Sequence, residues 1–223
     1  MAAEQRGAAR RCRLVVLISG SGSNLQALID ACSTEDFPAS IAAVISNRPD
    51  AGGLERARGA GIPTAVVDHK SFPDRFDFDR ALLHEIDRYE PELVVLAGFM
   101  RILSADFVRH YAARLMNIHP SLLPLYPGLH THQRALEAGD TAHGATVHFV
   151  SEELDGGPAI VQSRVPVHAA DTAETLAARV LLQEHRIYPH AVRLFAEGRL
   201  QLRNGRALLD GDALPATGLL FPG

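Results

Sequence analysis

The chain has no tryptophan, only two cysteines and, at Lys70, a single lysine. Cys12 and Cys32 fall in neither a CxxC nor a mixed Cys/His spacing, which argues against a disulfide framework or a cysteine-rich metal centre and points to a reducing compartment. One lysine outside any GxxxxGK[ST] pattern excludes a triphosphate-binding loop of that type and leaves one candidate for Schiff-base chemistry. Long apolar runs are also missing. Leu14 to Ile18 and Leu93 to Gly98 are the longest, far short of the roughly 20 residues needed to cross a bilayer, so no membrane partner is expected. Nor is there an excess of basic residues. With 22 Lys and Arg against 26 Asp and Glu, and a sequence pI near 6.2, the chain has no general attraction for nucleic acid. Residues 1–13 carry Arg6, Arg10, Arg11 and Arg13, but the apolar run behind them is too short for a secretory signal. They read as a flexible leader, and the expected location is cytoplasmic.

What is present describes one domain. At 223 residues and 47 % hydrophobic content the chain can bury one substantial core. Leu14 to Ile18 has the length and apolarity of a strand buried on both faces. It runs into Ser19-Gly20-Ser21-Gly22-Ser23-Asn24, after which Leu25, Leu28 and Ile29 recur at helical spacing. A glycine-rich turn opening a helix directs free N–H groups at whatever lies above it, and a phosphate suits them. An ordinary tight turn with a Ser or Asn cap is the structural alternative. The third glycine of a dinucleotide fingerprint is replaced by Leu25, which favours a mononucleotide.

Further apolar runs at Ile41 to Ser46, Thr64 to Val67 and Leu93 to Leu96 alternate with helical patterns at Leu54 to Ala60 and Asp74 to Tyr89. That alternation predicts βαβ units in a parallel sheet, with ligands held beyond the carboxyl ends of its strands. Phe99 to Leu103 forms an apolar loop around Arg101, suited equally to a flat aromatic ligand or to packing under the helix that Ser104 caps. Leu125 to Gly144 reads as a surface excursion able to close over a site. Ala145 to Val150 and Ala159 to Val165 read as strands. A long helix capped by Asp171 or Thr172 should run towards Pro189, and Arg199 to Leu209 should form a hairpin around Asn204-Gly205.

The chemistry concentrates at Asn117-Ile118-His119-Pro120, continuing to Pro124, where polar groups interrupt an apolar strand. Asn117 and His119 point the same way on an extended backbone, and Pro120 restricts His119 to that geometry. Hydrogen bonding at a strand end would explain the same residues without catalysis. Ser121 has no G-x-S-x-G elbow around it, and His130-Thr131-His132 lacks the carboxylates of a zinc motif, so neither a serine hydrolase nor a metal site is expected.

Four stretches carry a resemblance: Gly20-Ser21-Gly22-Ser23-Asn24-Leu25-Gln26-Ala27, Ala97 to Leu103, Asn117 to Pro124, and Leu154-Asp155-Gly156-Gly157-Pro158. With them the chain resembles the phosphoribosylglycinamide formyltransferase family of folate-dependent enzymes, from Leu14 to about Leu209. The resemblance implies an α/β formyltransferase fold, a Rossmann-like, mostly parallel twisted sheet with helices on both faces and an antiparallel C-terminal part. It implies a mononucleotide-binding half over residues 14–111, a folate and catalytic half over 112–209 and a tail over 210–223. The implied activity, part of de novo purine biosynthesis, transfers a formyl group from 10-formyltetrahydrofolate to the amine of glycinamide ribonucleotide, without a metal, in a monomer or homodimer.

By the same resemblance Asn117, His119 and Asp155 are catalytic. Asn117 and His119 would donate to the oxyanion, while Asp155 would keep His119 charged and relay protons. Gly22, Ser23, Asn24, Leu25 and Glu184 would hold the ribonucleotide. The folate would lie against Met100, Arg101, Ile102 and Leu103 and against Ser151, Glu152, Glu153, Leu154 and Asp155, with Leu96, Val108, Leu115 and Val150 as apolar walls and Arg75 near its anionic tail. Leu181 stands where some relatives carry glutamine, so one polar nucleotide contact is missing or supplied elsewhere. Two competing readings are a formyl enzyme acting on tRNA or hydrolysing formylfolate, and a nucleotide-binding module without catalysis. The former relatives carry an added domain for which this chain has no room, and its acidic balance disfavours tRNA.

Overall fold

The computed structural model describes residues 10–222, so the expected leader lies outside the described residues over 1–9. Its first strand, β1 (Cys12–Ile18), alternates between two cores, with Leu14, Val16 and Ile18 on one face and Val15 and Leu17 on the other. That two-sided burial is why the run is continuously apolar. Beyond β1 come α1 (Ser23–Cys32), β2 (Ala39–Ser46), α2 (Gly53–Gly59), β3 (Thr64–Val66), α3 (Arg75–Asp87) and β4 (Leu93–Leu96). The second half holds α4 (Ala105–His110), β5 (Leu115–His119), α5 (Thr131–Glu137), β6 (Ala142–Phe149), β7 (Ala159–Pro166) and α6 (Ala173–Ala196). Short strands β8 (Leu200–Arg203), β9 (Arg206–Leu209), β10 (Asp212–Ala213) and β11 (Leu219–Phe221) finish the chain.

The main sheet has the order β11-β7-β6-β5-β4-β1-β2-β3. Strands β1 to β5 are mutually parallel, β6 runs antiparallel to both β5 and β7, and β11 is parallel to β7. Helices α1, α2 and α6 pack on one face, α3 and α4 on the other. Strand order reverses between β1 and β4, and a crevice opens at such a reversal.

Four expectations change or sharpen. The last long helix does not stop at Pro189 but continues to Ala196. Its buried stripe runs straight through, with Ile187 and Tyr188 before the proline and Ala191, Val192 and Leu194 after it, so packing outweighs the missing N–H. Thr172, not Asp171, is its N-cap, in a reciprocal box with Thr175. The stretch expected as a tail over 210–223 contributes, within its described residues, β10 to the small antiparallel sheet and β11 to the edge of the main one. Residues 125–144 lie at the surface as expected, with Leu125 and Leu129 exposed, and are pinned to the body by buried Thr131, Ala135 and His143, Thr131 Oγ1 donating to Pro120 O.

Candidate functional site

The glycine-rich turn sits at the end of β1 on one side of the strand-order reversal. Gly22 has φ 74°, and a Cβ there would lie 2.6 Å from the Gly53 Cα, so both dihedral and space demand glycine. It caps α1 without any side-chain hydrogen bond, which sets aside a Ser or Asn cap and leaves the first N–H groups of the helix for a ligand. The loop is braced from α2, where Gly53 N donates to Gly20 O (3.0 Å) and Arg56 Nε to Ser21 O (2.8 Å). Ser23 and Asn24 line the cavity above it, whereas the Leu25 side chain turns fully into the core and leaves only its backbone to face a ligand. Asn24 Nδ2 donates to Glu184 Oε2 at 2.6 Å, joining residues from the first and last helices of the main sheet. Burial raises the Glu184 pKa, opposed by that hydrogen bond. Asn24 Oδ1 is buried without a partner among the described residues, so an acceptor stands ready beside the carboxyl group.

Across the reversal lies the loop that follows β4. Met100 and Arg101 share a cavity of about 420 Å³ with Ser19 to Asn24, Asn47, Arg48 and His69, and no acidic side chain among the described residues lines it. Met100 is 67 % and Ile102 62 % exposed, while Phe99 is buried and Leu103 packs against the α3–α4 core. The loop is therefore part core and part open apolar surface. Leu96, Val108 and Leu115 lie together in that core with Val150 against it. Arg75 stands apart: it is exposed, lies over the Phe76 ring at 5.2 Å and does not line the cavity. In the turn after β6, Ser151 Oγ donates to Glu153 O (3.2 Å), Glu152 pairs with Arg109 (2.8 Å), and Leu154 is exposed.

Asn117, His119 and Asp155 converge at the carboxyl end of β5. Asp155 adopts φ 52°, and only 7 % of its side chain is exposed. Two close approaches hold its turn: Gly157 has no room for a side chain, since a Cβ would fall 1.8 Å from Phe149 O, and Gly128 N donates to Asp155 Oδ2 at 2.9 Å. His119 Nδ1 lies 3.4 Å from Asp155 Oδ2, an ion pair when the imidazole is charged. His119 Nε2 is 2.9 Å from Tyr126 O, and because a carbonyl only accepts, Nε2 carries a proton. The loop carbonyl thus occupies the donor that an oxyanion would use.

A fourth residue joins this cluster that sequence reasoning missed. His148 pairs with Asn117 across β5 and β6, and its Nε2 lies 3.2 Å from Asn117 Nδ2. Its Nδ1 donates to Phe149 O (2.9 Å), so Nε2 is the acceptor and the Asn117 amide is oriented by it. Burial holds the His148 pKa well below the usual histidine range, keeping that lone pair free, even with Asp155 Oδ1 at 3.8 Å. The signal available was a histidine at an inward position of the alternating run Ala145 to Val150. His130 and His132 do not join the cluster directly: His130 caps α5 at φ 58°, and the His132 ring packs edge-on against His143 at 5.1 Å.

The sequence profile described as formyl transferase matches residues 12–192. Phosphoribosylglycinamide formyltransferase of Escherichia coli is 60 % identical over 205 residues, covering 92 % of this chain and 97 % of that protein. A human trifunctional purine biosynthetic protein is 48 % identical over 198 residues, covering 88 % of this chain and 20 % of its own length. Among solved structures, the phosphoribosylglycinamide formyltransferase of Coxiella burnetii superposes with a TM-score of 0.92 at 52 % identity, over 96 % of this chain and all of that one (100 %).

Proposed function

The chain belongs to the formyl transferase family, and from that premise we propose that it moves the formyl group of 10-formyltetrahydrofolate to the amine of glycinamide ribonucleotide. The observation that carries the reading is the convergence of Asn117, His119 and Asp155 beside the strand-order reversal, with a phosphate-type loop on one side and an open apolar loop on the other. The ribonucleotide phosphate meets the free N–H groups of α1. Its glycinamide end meets Glu184 and the unpartnered Asn24 Oδ1, two acceptors matched to N–H donors. The pterin lies on the Met100 to Leu103 loop, and Arg75, at the margin, takes the anionic tail.

The amine attacks the formyl carbon and a C–N bond forms while the carbonyl becomes an oxyanion. Asn117 Nδ2 has one hydrogen on His148 and a second for that oxygen. His119 adds its Nε2–H by exchanging the Tyr126 carbonyl for the oxyanion. Asp155 accepts the proton lost by the attacking nitrogen, through water, and a proton returns to N10 of the folate as the second C–N bond breaks. Formylated ribonucleotide and tetrahydrofolate leave with atoms and charge balanced.

Purified protein supplied with both substrates should release tetrahydrofolate, and Asp155→Asn should slow turnover by about 10²–10⁴-fold. No formylation by the native protein refutes the activity; near-native turnover in the variant refutes the proton role alone.

A further inference from the structure

The two substrate loops are joined by a buried hydrogen-bonded pair that takes no part in the mechanism above. Ser19 follows β1 and begins the phosphate-type loop; Met100 lies in the loop proposed to take the pterin. Ser19 N donates to Gly98 O (3.1 Å), and Met100 N donates back to Ser19 Oγ (2.7 Å). The hydroxyl proton goes the other way, to Asn47 Oδ1 at 2.6 Å. Ser19 is 5 % and Asn47 2 % exposed, so the pair is largely shielded although both residues border the cavity.

A serine hydroxyl can rotate freely, and its lone pairs face Met100 N–H only while its proton is held elsewhere. Asn47 supplies that hold. The asparagine is anchored at its backbone, whose carbonyl accepts from His69 N (3.3 Å) and His69 Nδ1 (2.8 Å) beyond β3, and its side-chain Nδ2 lies 3.2 Å from the same Nδ1. A chain of bonds therefore runs from the β3 end through Asn47 and Ser19 to the first peptides of the apolar loop.

We propose that Asn47, acting through the Ser19 hydroxyl, is a positioning residue that sets the Met100 loop for the folate and locks it to the ribonucleotide loop. This rests on the functional reading above. Neither side chain needs to touch the folate for the effect, since it is the Met100 peptide that they hold.

Three variants test it, Ser19→Ala, Asn47→Ala and Asn47→Asp, with calorimetric titration of tetrahydrofolate and of glycinamide ribonucleotide. Ser19→Ala removes one oxygen and leaves Met100 N–H unpaired, which should weaken tetrahydrofolate binding about tenfold. Asn47→Ala should do the same, and the double variant should be no weaker than either single one, because both break one chain of bonds. Asn47→Asp keeps an acceptor for the Ser19 hydroxyl and should recover most of the affinity. A merely structural role would lower thermal stability while leaving the affinity of the folded fraction unchanged. Native tetrahydrofolate affinity in Ser19→Ala, additive losses in the double variant, or no recovery in Asn47→Asp overturns the inference. Native protein that binds neither ligand overturns the functional reading as well; binding by native protein with unaffected variants overturns only this one.

Discussion

At the residue scale, the site depends on side chains whose hydrogen-bonding sense is fixed by a neighbour. Asn117 can aim an N–H at a forming oxyanion only if its amide is not reversed, and the His148 lone pair is what prevents reversal. His148→Leu keeps the volume and removes the acceptor, so kcat should fall about tenfold or more, with the tetrahydrofolate dissociation constant nearly unchanged. Equal kcat in the two proteins would show that Asn117 is oriented by other means. Asn117 and His119 stand out in the sequence because they interrupt an apolar strand next to Pro120, whereas Asp155 reads there only as part of a turn and enters through the resemblance; the structure sets it beside His119. His148 does not stand out, because its importance lies in the antiparallel register that sets it opposite Asn117, and register comes from the pairing of distant strands. The Tyr126 carbonyl on His119 was hidden for a similar reason: any residue type presents a carbonyl, and only the loop path places this one.

At the element scale, α6 ties the two strands that carry the site. Tyr188, fully buried on its inner face, donates to Leu96 O at 2.9 Å and lies 3.1 Å from Met116 O, spanning the ends of β4 and β5. Removing the hydroxyl in Tyr188→Phe leaves those carbonyls without that donor, at a cost of about 1–3 kcal/mol. For a chain of this size each kcal/mol shifts the melting temperature by roughly 2–4 °C, so a decrease of several degrees should appear in a thermal scan. An unchanged melting temperature would mean the strands hold their places without that hydroxyl. The parallel β1-to-β5 part of the fold was readable because buried strands and amphipathic helices alternate with different periods along the chain. The passage of α6 through Pro189 was not, since local chemistry favours a stop there and only the tertiary stripe of Ala191, Val192 and Leu194 overrides it. β11 is short and lies behind Gly218, so its three residues, Leu219 to Phe221, show no period by which a strand would be recognised.

At the scale of the whole molecule, burial or half-burial disfavours the charged form of several histidines, and folding becomes linked to pH through them. Burial, first, and the neighbouring His132, second, push His143 down to about 4; burial also lowers His132, His148, His185 and His190. An unfolded histidine titrates near 6.5. Between that value and the depressed folded one the unfolded chain binds more protons, so stability is complete above about pH 6.5 and is lost as the pH falls. Glu184 acts in the opposite sense: its raised folded pKa gives stability at low pH that is lost as the pH rises. One carboxyl group stands against five histidines, so the histidines set the sign. Asp171, held low by hydrogen bonds from Arg179 and the His168 backbone, adds a loss of its own only below the normal carboxylate range, outside this window. The melting temperature should therefore fall between about pH 6.5 and 4.5, and His143→Gln, which keeps polarity but cannot be protonated, should flatten that slope. A native slope of zero, or a variant as steep as the native protein, would place the proton linkage elsewhere in the fold.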